Sequence, residues 1–161
     1  MCLGNCGRCC RSGRVFRLVQ VLNADTLESR FGSWPSFHDA EVLGVRLDSG
    51  QRSDGRVRLE LDVHLFAVDG QLADGRFNFV LHTAVTLEFV GVENVELDRF
   101  GPQNVLFDLV LKDLDVGASS AARVQVELPS SNGLGGAFRC EEVVVAAVEP
   151  YAPGRHSVYS G

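Results

Sequence analysis

The sequence predicts a mostly-β chain: an antiparallel sandwich or strongly curved, barrel-like sheet of about seven strands, with one short helix near the N-terminus. Three observations carry this. From Val42 onward apolar residues recur with a period of two. Turn signals such as Asp54-Gly55, Asp69-Gly70, Asp74-Gly75 and Gly101-Pro102 punctuate the alternating runs at short intervals. The one stretch with helix-start chemistry, Asn23 to Arg30, precedes all of them.

Taken in order, residues 1–14 are rich in Gly, Arg and Cys without periodicity and form a disordered or mis-started tail. Residues 15–149 make a single mostly-β domain, and 150–161 a flexible C-terminal tail. Val15 to Val21 is apolar and compatible with strand or helix. Asn23 or Asp25 can cap the helix, with Glu28 three after Asp25, and Gly32 can end it. Next comes a bend at Trp34-Pro35, where the proline ring fixes φ and pushes Trp34 out of the α region.

Leu43, Val45 and Leu47 then alternate with Gly44, Arg46 and Asp48. In the clearest strand, Val57, Leu59, Leu61, Val63 and Leu65 take one face and Arg56, Arg58, Glu60, Asp62 and His64 the other. Such a split puts one face on core and one on water, as antiparallel sheets do. Phe77, Phe79, Leu81, Val85, Leu87 and Phe89 are expected to share a face of the following strand. Further strands are expected over 92–100, 105–111 and 123–128. Asn132 to Gly136 is expected to be a flexible loop, and Phe138 to Val148 a final strand.

The net charge of −6 conceals an asymmetry. Residues 1–17 carry Arg8, Arg11, Arg14 and Arg17 and no acid, leaving 11 basic and 21 acidic residues beyond them, a net of −10. A body of that sign repels nucleic acid and attracts basic partners. No apolar run spans a bilayer and no secretory h-region is present, so the expected setting is cytoplasmic, without membrane contact. Cys2, Cys6, Cys9 and Cys10 include one C-x-x-C pair, but a ten-residue Gly-rich peptide is a poor scaffold for a closed zinc site. Cys140 alternates with Phe138 and is expected to be a buried thiol.

The densest chemistry lies at the bend, where Trp34 and Phe37 stand beside His38, Asp39 and Glu41. One reading is structural: polar groups satisfying the turn while Trp34 and Phe37 plug one end of the sheet. A second is an aromatic–acidic surface that recognises a basic protein. A third is metal or acid–base chemistry, with His38 and Asp39 joined by His64 and His82. Neighbours 38 and 39 point apart on an extended chain, and no H-x-H or H-E-x-x-H supplies two ligands on one face. No nucleophile elbow, dinucleotide fingerprint or phosphate-loop lysine is present. The expectation is therefore no catalytic residue, no cofactor and no metal.

The run Phe31-Gly-Ser-Trp-Pro-Ser-Phe-His-Asp-Ala-Glu-Val42 resembles the immunity protein 50 family, small proteins that neutralise toxins of bacterial polymorphic-toxin systems. The resemblance extends more loosely through Leu87–Asn94 and Asn104-Val-Leu-Phe-Asp108 to Cys140. It implies a mostly-β fold, no catalysis and a cognate toxin protein as partner, and it leaves the oligomeric state open. Trp34, Phe37, His38, Asp39 and Glu41 carry over as hallmark residues of the motif.

Overall fold

The computed structural model describes residues 19–51, 53–115 and 120–153. The cysteine-rich tail, Cys2 to Cys10, lies outside them, as do residues 15–18 and 154–161. Among the described residues the fold is mostly β, with one helix and two sheets. In chain order the elements are β1 (Val21–Leu22), α1 (Ala24–Phe31), β2 (Glu41–Asp48), β3 (Arg58–Gln71), β4 (Phe77–Val90) and β5 (Glu93–Asp98). They continue with β6 (Val105–Leu106), β7 (Val110–Asp113), β8 (Val124–Leu128), β9 (Ser130–Asn132), β10 (Gly135–Cys140) and β11 (Glu142–Pro150).

One sheet runs β1-β11-β4-β3-β2-β6-β9 and the other β5-β10-β8-β7. They form a sandwich rather than a closed barrel. Leu59, Leu61, Val63, Leu87 and Phe89 from the larger sheet pack against Val126, Leu128 and Phe138 from the smaller, in one core that also takes Leu27 from α1. Phe89 and Phe138 meet edge-to-face across it, with ring centroids 4.9 Å apart. The sheet is not wholly antiparallel, because β1 runs parallel to β11, with Val21 opposite Val143.

The helix forms as the sequence predicts. Asn23 caps it in the left-handed region, although Thr26 Oγ1 donates to the Asn23 carbonyl (2.7 Å) and no side-chain cap bond forms. Gly32, at φ 84°, ends it and donates its N–H to the Glu28 carbonyl at 2.7 Å.

Several expectations change. The final strand is two strands in different sheets, β10 and β11, divided at Glu141, whose N–H donates to the Val90 carbonyl (2.9 Å). Buried positions switch there from Phe138 and Cys140 to Val143 and Val145, so the apolar phase itself breaks. The 132–136 segment links β9 to β10 as a tight turn. Gly133 has φ 70°, and a Cβ there would overlap the Gln103 carbonyl and Asn104.

Most consequential is a bulge in β4. Leu65 pairs with Thr83, but Ala67 pairs with Val80, so one extra β4 residue is accommodated around Leu81, at φ 54°. The pleat reverses beyond it. Phe79 pairs with Val68 and packs on Phe66 at 4.9 Å, on the face of β3 that carries His64 and away from the core face of Leu87.

Candidate functional site

The bend is sewn to β6. Asp39 N–H donates to the Leu106 carbonyl (3.0 Å), Leu106 N–H to Ala40 (2.9 Å), and Val42 N–H to Asn104 (2.8 Å). Ala40 N–H closes the turn on the Phe37 carbonyl (3.0 Å), and Ser36 Oγ accepts from His38 N–H (3.1 Å). Asn104 is itself buried, and its side-chain oxygen accepts from Gly101 and Leu134 N–H. Both ends of this seam are thus held by main-chain bonds. Asp39 sits at φ 64°, a conformation that aspartate tolerates better than most residues.

This frame sends the five motif side chains to different places. Phe37 is core, 1% exposed. Trp34 is half-buried and tilted against it, centroids 5.7 Å apart. His38 and Asp39 face solvent, with side chains 54% and 45% exposed, and pair through Nδ1 and Oδ2 at 2.9 Å. The His38 ring meets the exposed Phe107 edge-on at 5.0 Å. Glu41 turns the other way, toward His64, whose Nδ1 lies 3.4 Å from its carboxylate.

From Glu41 a polar chain runs inward along the outer face of the larger sheet. Glu41 and His64 stand opposite each other across β2 and β3. His64 Nε2 lies 2.9 Å from His82 Nδ1. The carboxylate can only accept, so the His64 proton belongs on Nδ1, and Nε2 accepts from His82. Tyr151, just past β11, lies over His64 with centroids 4.5 Å apart, and its N–H donates to the His82 carbonyl (3.0 Å). Arg30 of α1 donates to that carbonyl (3.3 Å) and to Thr83 Oγ1 (2.5 Å). His64 is fully enclosed. Burial pushes its imidazole below the usual range, Glu41 opposes the shift, and His82 adds to it.

The grouping differs from the one weighed on sequence. His64 and His82 join Glu41, while His38 and Asp39 form a separate surface pair. Among the described residues no three His, Cys, Asp or Glu side chains are placed to hold a metal ion.

Two of the stretches carrying the sequence resemblance, 31–42 and 104–108, are the two sides of this one seam. A family model described as Immunity protein 50 matches residues 23–151, from the helix cap to Tyr151. The chain belongs to the immunity protein 50 family. No curated protein and no solved structure matches it. Membership in an immunity family implies a toxin as the partner to be bound. In this immunity protein Phe37 and Glu41 are occupied inside the fold, so the part of the motif open to a partner is His38, Asp39 and the half-buried Trp34.

Phe107 is a residue beside the bend that sequence reasoning missed. Phe107 was counted with Val105, Leu109 and Leu111 in a continuous strand, but the chain breaks between β6 and β7 and leaves the ring exposed beside His38. Its place within the resembling stretch 104–108 was the available signal.

Proposed function

We propose that the chain neutralises a cognate toxin protein by stoichiometric binding in the cytoplasm, without turnover, and that the exposed side of the bend is part of the binding surface. The single observation that carries this is the cluster of His38, Asp39 and Phe107. An aromatic ring and a carboxylate stand in water on a turn locked by main-chain bonds, with Phe37 anchoring it from below. A surface already rigid loses little conformational freedom on binding. An aromatic group beside a charge is a common composition of interface residues that dominate affinity. The acidic balance beyond residue 17 supports a basic partner, such as a nuclease whose phosphate-binding surface an acidic protein can occlude.

The test is co-expression with the toxin encoded beside this gene, together with titration of the purified pair. Survival of cells and a complex that weakens with salt are expected, and Asp39→Ala with Phe107→Ala should weaken binding by about 1–2 kcal/mol each. Cell death despite soluble immunity protein, with no complex formed, refutes the reading for that pair.

A further inference from the structure

A cleft of about 380 Å³ opens beside α1, where Val21 of β1 and Leu111 of β7 join its lining. Val19, Val21, Leu109 and Leu111 form apolar walls, Trp34 adds an aromatic residue, and Glu28 of α1 is the one charged residue in the lining among the described residues. Several other surface carboxylates are matched with bases: Glu60 with Arg46, Asp54 with Arg58, Glu88 with Arg58, Glu127 with Lys112. Glu28 is one of those left without an ion pair or side-chain hydrogen bond among the described residues, and it stands in the lining of this cleft. Nor does the Trp34 indole N–H donate to any described residue. The volume is at the small end of ligand-sized sites.

An apolar trough with an aromatic face and one uncommitted carboxylate matches a cation on an apolar stem. Lysine would offer a point charge. A guanidinium is planar, stacks on an indole face, and bonds a carboxylate in two places, so arginine fits this lining better. We infer that the cleft receives an arginine side chain of the toxin, its stem against Leu109 and Leu111 and its head between Trp34 and Glu28. This rests on the chain being a toxin binder, and it names the chemistry of one contact. The carboxylate that serves Trp34 is then Glu28, from the helix, rather than its sequence neighbours Asp39 and Glu41.

Trp34 is the only tryptophan in the chain, so its emission reports on the cleft directly. The full-length protein is titrated with the blocked tripeptide Leu-Arg-Leu and with its citrulline counterpart, which keeps the shape and loses the charge. The same is done with Glu28→Gln, checked for unchanged circular dichroism, and with Glu96→Gln on β5 as a control. Emission should shift with the arginine peptide, and the citrulline peptide and Glu28→Gln should each bind at least 10-fold more weakly. Glu96→Gln should match the wild type. Affinity for the toxin should fall at least 10-fold in Glu28→Gln.

Unchanged emission, equal binding of both peptides, or indifference to Glu28→Gln overturns the inference. Binding that appears only after residues 1–18 are removed also overturns it, since the occupant is then the chain's own arginine-bearing N-terminus. A wild-type protein that ignores the toxin defeats the proposed function, while the peptide titration still decides the chemistry of the cleft. A toxin bound tightly by wild type and Glu28→Gln alike defeats the cleft and leaves the function standing.

Discussion

Acid should destabilise this protein through His64, and the size of the effect follows from its surroundings. His64 is fully enclosed between Glu41, His82 and Tyr151, with Arg30 bonded to the His82 carbonyl behind it. Its pKa in the fold lies below the ordinary 6.5, chiefly because burial disfavours the charged imidazolium. Between the two values the unfolded chain holds a proton that the native chain lacks, so stability rises with pH in that window. It is complete above 6.5 and falls as pH drops below it, until the folded value is passed. One proton difference corresponds to at most ~1.4 kcal/mol per pH unit. The unfolded imidazole is half protonated at pH 6.5, so acidification to 5.5 removes at most ~1 kcal/mol and should lower the melting temperature by up to about 2–4 °C for a chain of this size. Thermal melts followed by circular dichroism at half-unit pH steps measure the slope. His64→Gln keeps a polar side chain between Glu41 and His82 but cannot titrate, and its slope over that window should be clearly shallower. Equal slopes in the two proteins, or a wild type that gains stability on acidification, would show that His64 is not the group responsible.

Three further outcomes test the fold beneath the site. Phe37→Ala removes a buried ring that anchors the bend and should cost about 3–5 kcal/mol in urea unfolding; a loss below ~1 kcal/mol would mean the bend does not depend on it. At the bulge, Leu81→Gly relieves a left-handed backbone that costs an ordinary residue ~1–2 kcal/mol. Glycine should be neutral or stabilising there despite its greater unfolded-state freedom, whereas Leu81→Val should destabilise, and the reverse order would discredit the bulge. Burial pushes the Cys140 thiol up to about 12, so peptide mapping after native treatment with iodoacetamide should find it unmodified, and modified once the chain is unfolded. Rapid native labelling would contradict its burial.

Much of the architecture is legible along the chain because strand periodicity is local. The alternation from Leu59 to Leu65 is enough to assign a core face, and those residues are buried. Even the split between β10 and β11 has a local trace, in the shift of buried positions from Phe138 and Cys140 to Val143 and Val145. The bulge has none. Phe77, Phe79 and Leu81 keep step with Val85 in sequence, and only pairing with β3 reveals the extra residue that turns Phe79 outward. At the bend, the composition announced a site but not the separation of its members. Phe37 is drawn into the core and Glu41 to a histidine 23 positions away, because each follows the surface its own backbone position faces.

By itself, then, the sequence determined strand-rich folding, the helix and its glycine stop, the proline-fixed bend and the acidic balance. Each depends on neighbours a few residues apart or on composition. Tertiary structure alone decided which distant groups meet: Glu41 with His64, His64 with His82, and Glu28 in one cleft lining with Leu109 and Leu111. Strand register and sheet packing set those encounters, and both arise from contacts between segments far apart in the chain, which no local pattern encodes.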